Sequence, residues 1–251
     1  MTKTVVVKVG GSTWDSRDAA LDDIVALQRE GQRVLVVHGG GEIVTRWLGI
    51  HGIESRFVDG VRETSQDALP VAVAVLAGLV NKQLVAGINS AGGRATGLTG
   101  ADGPTIFARR HPELGFVGEI ERVDPALLLS LLDAGFMPVL APIGVDGPQL
   151  LNINADTVAG EAAIALKADV LAFLTDVAGV LDGEGKTLEH LLAGDVTSLV
   201  DDGTISRGML PKVEACLKAS AAGCTSFIVD GRRAGALRYA LQGQIVGTRI
   251  G

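Results

Sequence analysis

The chain has 251 residues, of which 47% are hydrophobic and 20% are charged, and its formal net charge is -7. This composition excludes a disordered chain and a minimal scaffold, and it is typical of one large α/β domain or two closely joined lobes. The charge argues against a nucleic-acid partner, because no clustered Lys and Arg side chains are present to displace counterions from phosphates.

Short β-branched runs alternate with helical stretches along the chain, which is the pattern of a mainly parallel sheet with crossover helices. The predicted strands cover Thr4 to Val9, Val34 to His38, Pro138 to Ile143, Val170 to Thr175 and Ser226 to Asp230. The predicted helices cover Asp18 to Glu30, Ser65 to Asn89, Pro125 to Ala134, Asp156 to Lys167 and Met209 to Ala222. An α/β fold is therefore predicted.

Two segments are expected to be antiparallel insertions, because neither shows helical periodicity. One spans Ser55 to Arg62 around a turn at Asp59-Gly60, and the other spans Gly115 to Val123. Polar, turn-rich stretches follow in the last third of the chain, and we place a domain boundary near residue 166.

The charge-free stretch from Ala68 to Asn81 is shorter than the ~18 residues that a membrane span needs, and no secretory signal is recognised. We therefore expect a soluble cytoplasmic protein without a membrane partner. Cys216 and Cys224 are expected to be small buried hydrophobes rather than a disulfide or a metal site.

Two predicted strands run directly into adjacent glycines, in KVGGS at Lys8 to Ser12 and in HGGGE at His38 to Glu42, where a helix follows. Glycines let consecutive backbone N–H groups converge on an anion, although tight strand-to-helix turns also need glycine. Consecutive parallel strands would direct both motifs into the crevice where open α/β sheets bind ligands. Neither a GxxxxGK[ST] nor a GxGxxG motif is present, which excludes a P-loop kinase.

Charged side chains at three places suggest chemistry beyond the backbone. Lys8 interrupts an apolar strand, so its ammonium either points at an anion or reaches solvent from the strand end. Asn152, Asn154 and Asp156 lie where a strand meets a helix, and an N-cap would explain only one of them. Lys212 falls in the first turn of a helix, where the helix dipole disfavours a cation, so a bound anion or Asp156 is expected to compensate it.

In this order and spacing the motifs resemble those of the amino acid kinase family, and within it the kinases of N-acetyl-L-glutamate. The motifs are KVGG, VVHGGG, DGVR, LVNK, GLTGADG, GFVGEI, PVLAPIG, NINADTVAG, LTDVAGVL, GMLPKVEA and IVDGR. The resemblance implies a three-layer αβα sandwich of the carbamate kinase-like fold. Residues 1–165 would bind the acyl amino acid and form the dimer contact, and residues 166–251 would bind ATP.

The resemblance implies ATP-dependent phosphorylation of the side-chain carboxylate of N-acetyl-L-glutamate, the second step of arginine biosynthesis. Magnesium is expected only because the ATP phosphates require it. The same resemblance implies a homodimer, with its contact on the helix from Ser65 to Asn89. It also implies insensitivity to arginine, because the first predicted strand begins at about Thr4 with no helix before it.

The family's functional residues carry over to matching positions. Lys8 and Lys212 would stabilise charge on the phosphoryl oxygens, and Asp156 would hold both lysines. The residues implied to bind the acyl amino acid are Gly40, Gly41, Arg62 and Asn152. The residues implied to bind ATP are Gly10, Gly11, Thr175, Asp176, Val177, Gly179, Val180, Leu181, Ile205, Gly208, Met209 and Lys212.

The chemistry agrees with a carboxylate acceptor. Phosphoryl transfer needs positioning and dispersed positive charge, which two lysines and glycine amides supply. No convincing general base is present, and a carboxylate is already ionised at pH 7. The planar fork of Arg62 suits an α-carboxylate. His38 is an alternative candidate as a phosphohistidine nucleophile, or it packs and forms hydrogen bonds at the strand end.

Two other functions stay open at this point. A kinase of N-acylated or carrier-linked α-aminoadipate in lysine biosynthesis would use the same transfer machinery with a different acceptor pocket. A non-catalytic ligand-sensing or storage protein could use the same fold, because fold alone does not fix function.

Overall fold

The computed structural model describes residues 2–10, 17–58, 60–201, 203–205, 208–244 and 246–251. The strands are β1 Thr4–Val9, β2 Arg33–His38, β3 Phe57–Val58, β4 Val61–Arg62, β5 Ala95–Thr99, β6 Ile106–Arg110, β7 Gly118–Val123, β8 Met137–Ala141, β9 Ile143–Asp146, β10 Gln149–Asn152, β11 Val170–Thr175, β12 His190–Leu191, β13 Thr225–Asp230 and β14 Thr248–Ile250. The helices are α1 Arg17–Arg29, α2 Gly41–Ile50, α3 Ala68–Val73, α4 Asn81–Ser90, α5 Ala126–Asp133, α6 Ala155–Ala165, α7 Ala193–Asp201, α8 Leu210–Ala221 and α9 Ala236–Leu241. A π-helical segment, Ala74–Val80, joins α3 to α4.

An eight-stranded sheet in the order β12-β14-β13-β11-β1-β2-β8-β5 forms the centre of the molecule. Its neighbouring strands are parallel except for β13 and β14. The strands in its middle are buried on both faces, which explains their nearly continuous apolar sequences. The predicted α/β fold with a mainly parallel sheet is confirmed.

Helices cover both faces of this sheet. Because side chains alternate along a strand, Val5 and Val7 of β1 pack in the core layer that contains α1, α4 and α9. Val6 packs in the opposite layer, which contains α5, α6 and α8. This arrangement is the predicted three-layer sandwich. Lys8 has the same parity as Val6 and therefore faces the α6 layer.

A second sheet of four strands, in the order β10-β9-β6-β7, and the hairpin β3-β4 complete the described strands. β7 pairs antiparallel with β6, and β3 pairs antiparallel with β4. The two predicted insertions are therefore antiparallel as expected. The residue Asp59 of the predicted turn lies outside the described residues.

One predicted strand is wrong as a single element. The apolar run from Pro138 to Ile143 divides into β8, which ends at Ala141, and β9, which begins at Ile143. Pro142 lies between them and has no N–H to continue the ladder of the large sheet. β9 leaves that sheet and pairs with β10 in the smaller one.

The predicted long helix begins at Ala68 rather than Ser65 and continues to Ser90 through the π-helical segment. By length and hydropathy it could span a membrane, and 39% of its most apolar window is buried in the protein. The core helix of a soluble protein can have the same length and hydropathy, so this helix is weak evidence for a membrane span. The predicted boundary near residue 166 follows the end of α6 and stays a prediction, because the large sheet continues across it through the pairing of β1 with β11.

Candidate active site

Lys8, Asp156 and Lys212 lie together although they are far apart in sequence. Lys8 Nζ is 2.7 Å from Asp156 Oδ1, and Lys212 Nζ is 2.9 Å from Asp156 Oδ2. β1 directs Lys8 toward α6, the first turn of α6 carries Asp156, and the first turn of α8 carries Lys212. One carboxylate thus bridges two ammonium groups from three elements.

This cluster is buried and has a net positive charge. Lys8 and Asp156 are each 6% exposed. Burial raises the pKa of Asp156, but the attraction of Lys8 and Lys212 outweighs this effect and holds the pKa below its usual value. Two ammonium groups against one ionised carboxylate leave one positive charge, which suits an anionic ligand.

The N-cap of α6 is Asn154, whose Oδ1 accepts hydrogen bonds from the backbone N–H of Asp156 at 2.8 Å and of Thr157 at 3.3 Å. The carboxylate of Asp156 is therefore not used as a cap and binds the two lysines. Lys212 Nζ also donates to the carbonyl oxygen of Gly208 at 3.1 Å.

A cavity of about 140 Å³ lies beside α6. All four residues predicted to bind the acyl amino acid line it, namely Gly40, Gly41, Arg62 and Asn152. Asn154 and Ala155, at the start of α6, line the same cavity. The cavity therefore reaches the residue directly before Asp156, although Lys8, Asp156 and Lys212 themselves do not line it.

Gly40 has a backbone conformation and surroundings that disfavour any residue with a Cβ. Its φ is +149°, which L side chains rarely adopt, and a Cβ added there would lie 2.9 Å from Leu76 Cδ2. The glycine therefore lets α2 begin at the cavity wall, where the backbone N–H groups of a helix N-terminus favour an anion.

Arg62 is a buried cation, 7% exposed, and no acidic side chain of the described residues pairs with it. Its guanidinium donates to the carbonyl oxygen of Gly41 at 2.7 Å, to Thr45 Oγ1 at 2.8 Å and to Ser55 Oγ, and it lies over the ring of Phe57. Burial lowers the pKa of Arg62. A buried charge without a counter-ion favours an anionic ligand in this cavity.

His38 is completely buried at the end of β2. Asn81 Nδ2 is 3.1 Å from His38 Nε2, and His38 Nδ1 is 2.8 Å from the carbonyl oxygen of Gly39. An amide NH₂ can only donate, so Nε2 accepts and the imidazole proton lies on Nδ1. Burial lowers the pKa of His38 to about 4. These contacts favour the hydrogen-bonding role of His38 over that of a phosphohistidine nucleophile.

The residues predicted to bind ATP begin at the end of β11, next to β1. The backbone N–H of Gly10 donates to the carbonyl oxygen of Leu174, whereas Gly11 lies outside the described residues. Thr175 Oγ1 donates to the carbonyl oxygen of Val177 at 3.0 Å, which folds the chain back after β11.

The rest of this segment is partly fixed from β14. The N–H of Val180 donates to Thr248 Oγ1 at 2.8 Å. Gly179 has a φ of +154°, and a Cβ added there would lie 2.6 Å from the same oxygen. Asp176 and Leu181 are exposed. Ile205 is buried before α8, whereas Gly208 is exposed and Met209 is half-buried.

Sequence reasoning missed four polar side chains that support the predicted residues. Thr45 and Ser55 contact Arg62, Thr64 contacts Asn152, and Asn81 contacts His38. Asn81 had a usable signal, since an asparagine in a long apolar helix is expected to have a buried partner. The other three are ordinary hydroxyl residues without a pattern.

Comparison with known proteins agrees with this geometry. Residues 3–230 match the sequence model of the Amino acid kinase family. Acetylglutamate kinase of Novosphingobium aromaticivorans is 46% identical over 255 aligned residues, which cover 92% of this chain and 84% of that protein.

Two solved structures share the fold. That of smu.665 from Streptococcus mutans UA159 is 29% identical with a TM-score of 0.88, and the match covers 100% of this chain and 99% of that one. Giardia carbamate kinase is 19% identical with a TM-score of 0.72, and covers 99% of this chain and 98% of its own. The family match, the close relative and the shared fold together establish that the chain belongs to the amino acid kinase family.

Proposed function

We propose that this chain transfers the γ-phosphoryl group of ATP to the side-chain carboxylate of N-acetyl-L-glutamate, as in the second step of arginine biosynthesis. The observation that carries the proposal is the pair of ammonium groups on the two oxygens of buried Asp156, near a cavity whose Arg62 has no acidic partner among the described residues. The name of the Novosphingobium relative supports the same reaction.

The proposed step forms a bond between a carboxylate oxygen of the substrate and the γ-phosphorus, and it breaks the bond between that phosphorus and the β,γ-bridging oxygen, so that ADP leaves. The attacking carboxylate needs no deprotonation at pH 7. Lys8 and Lys212 would neutralise charge on the transferred phosphoryl group, while Asp156 keeps both ammonium groups in place.

The cavity residues would orient the acceptor. The guanidinium of Arg62 would bind the α-carboxylate, and the backbone around Gly40 and Gly41 would receive the reacting carboxylate. The predicted segments Thr175 to Leu181 and Thr204 to Lys212 would hold ATP beside Gly10.

Magnesium would neutralise the ATP phosphates. Among the described residues no group of three or more His, Cys, Asp and Glu side chains could hold a metal ion. Mg²⁺ commonly binds through substrate phosphates and water with few protein ligands, so this donor set fits an ion that arrives with ATP. Both oxygens of Asp156 are already engaged by lysines.

A homodimer is part of the proposal. The helix from Ala68 to Ser90 exposes Ala74 and Gly78 on a face of small apolar residues. A second copy of the chain would cover this face. Sedimentation equilibrium should give twice the monomer mass for the wild-type protein, and Ala74→Glu should yield monomers if the contact lies there. A monomeric wild-type protein would contradict this part of the proposal.

The experiment that tests the reaction traps the acyl phosphate with hydroxylamine. Wild-type protein with MgATP should give more hydroxamate from N-acetyl-L-glutamate than from N-acetyl-L-α-aminoadipate, which is longer by one methylene. Stronger hydroxamate formation from the longer substrate would assign the chain to lysine biosynthesis. If neither substrate gives hydroxamate, the result would favour a non-catalytic ligand-binding protein.

A further inference from the structure

Thr64 is a polar side chain beside the cavity that the proposed reaction does not use. It is 0% exposed and lies between two groups of the site. Its Oγ1 is 3.2 Å from the carbonyl oxygen of Arg62 and 3.0 Å from Nδ2 of Asn152. Asn152 lines the cavity, whereas Thr64 lies behind it.

The backbone holds Thr64 and Asn152 in register through Phe116. The N–H of Phe116 donates to the carbonyl oxygen of Thr64 at 2.7 Å, and the N–H of Asn152 donates to the carbonyl oxygen of Phe116 at 2.9 Å. Both side chains therefore stand on neighbouring extended segments that short main-chain hydrogen bonds keep together. These two hydrogen bonds fix the spacing between Thr64 and Asn152.

The proton count at Thr64 fixes the amide of Asn152. A hydroxyl group has one proton and two lone pairs, and Thr64 gives its proton to the carbonyl oxygen of Arg62. Toward Asn152 the same oxygen can only accept, so Asn152 presents its NH₂ to Thr64. Its Oδ1 is consequently turned away from Thr64 and accepts no hydrogen bond within the described part of the chain, and since Asn152 lines the cavity we infer that this oxygen is available to a ligand there.

We propose that Thr64 is a positioning residue, which makes Asn152 present a hydrogen-bond acceptor to the cavity and so selects substrates that carry an N–H at that point. The inference rests on the proposed function, in which this N–H belongs to the acetylamino group. An ester oxygen in its place would set lone pairs against Asn152 Oδ1. A site built to pair a polar N–H rejects an analogue that lacks it.

The test compares N-acetyl-L-glutamate with its ester analogue, O-acetyl-L-2-hydroxyglutarate, by kcat/KM in three proteins. Wild type should prefer the amide by at least about tenfold, as expected for one buried hydrogen bond. Thr64→Val keeps the shape but frees the amide of Asn152, so this preference should fall at least about fivefold, mainly through KM for the amide. Thr64→Ser keeps the hydroxyl and should restore the preference.

An unchanged preference in Thr64→Val overturns the inference, and so does an equal loss of kcat/KM on both substrates, which would indicate a merely structural role. A wild-type preference near one also overturns it, because it contradicts an acceptor facing the N–H. If Thr64→Val does not fold, Thr64→Ala also removes the hydroxyl and is compared with Thr64→Ser, and an equal preference in these two variants overturns the inference. Failure of the wild type to phosphorylate N-acetyl-L-glutamate is a different result and overturns the proposed function itself.

Discussion

Replacing Asp156 by asparagine tests the electrostatics of the cluster. Asparagine has nearly the same shape, but it leaves the buried Lys8 and the partly buried Lys212 without this counter-ion. Removing one partner of a buried ion pair costs about 3–5 kcal/mol. In a chain of this length we therefore expect the melting temperature to fall by about 6–20 °C.

Turnover and ATP affinity should respond differently to Asp156→Asn, which separates a catalytic effect from a loss of stability. Without the carboxylate the two ammonium groups lose their alignment, so turnover should fall by about 10²–10³-fold. ATP binding should not weaken, because the site loses a negative charge. Turnover is measured as hydroxamate formation, and ATP affinity by calorimetry at a temperature where the variant is folded.

A matched control is Asp195→Asn, since Asp195 is an exposed aspartate in the first turn of α7. This variant should lose at most about 1 kcal/mol of helix-dipole interaction, and its turnover should equal that of the wild type.

The stability that Asp156 contributes should depend on pH. The folded pKa of Asp156 is lowered, so this contribution is present above the ordinary pKa of about 4 and is lost as the pH falls further. Wild-type turnover and stability in Asp156→Asn at pH 7 would show that the carboxylate does not hold the two lysines.

Three further changes test other parts of the site. Arg62→Lys removes the planar fork and should raise KM for N-acetyl-L-glutamate by about 10–100-fold in steady-state assays, whereas an unchanged KM would place the α-carboxylate elsewhere. Since the folded pKa of His38 is about 4 and the unfolded group binds a proton below 6.5, urea unfolding should show about 2 kcal/mol of stability lost between pH 7 and pH 5. His38→Asn should remove this pH dependence of stability, whereas His51→Asn, at an exposed site, should leave it unchanged. An unaltered pH dependence in His38→Asn would contradict burial of a neutral ring. Gly40→Ala should destabilise the protein by about 1–3 kcal/mol through backbone strain and overlap with Leu76. Gly49 has open space around it, so Gly49→Ala should be neutral or stabilising. Equal effects of the two changes on the free energy of unfolding would argue against the backbone conformation described at Gly40.

The central strands could be predicted from sequence because burial on both faces leaves a clear signal. β1 and β11 have the predicted bounds, and the period of two along β1 directs Lys8 to the α6 layer. The convergence of Lys8 and Lys212 on Asp156 is implied by the family resemblance, whereas the residues alone predict only that each lysine needs a nearby anion. Each of these residues conflicts with its local surroundings, as a charge in an apolar strand or a cation at a helix N-terminus.

The smaller sheet could not be predicted in the same way. β6, β9 and β10 are short, and their pairing depends on contacts far along the chain. The division at Pro142 is visible only once β9 is known to pair with β10. Thr64 illustrates the same limit within the site, since its role comes from Asn152, 88 residues away. A single threonine after Arg62 has no pattern that could show this.

In the proposed reaction two ammonium groups stabilise one migrating phosphoryl group. This role is tested by measuring turnover and the dissociation constant of ATP in Lys8→Ala and Lys212→Ala. The control is Lys218→Ala, which changes an exposed lysine of the same helix as Lys212. Each variant of the cluster should lose at least about 100-fold in kcat with less than about a tenfold change in ATP affinity, and the control should match the wild type. Wild-type turnover in either Lys8→Ala or Lys212→Ala would show that the altered lysine does not stabilise the transferred phosphoryl group.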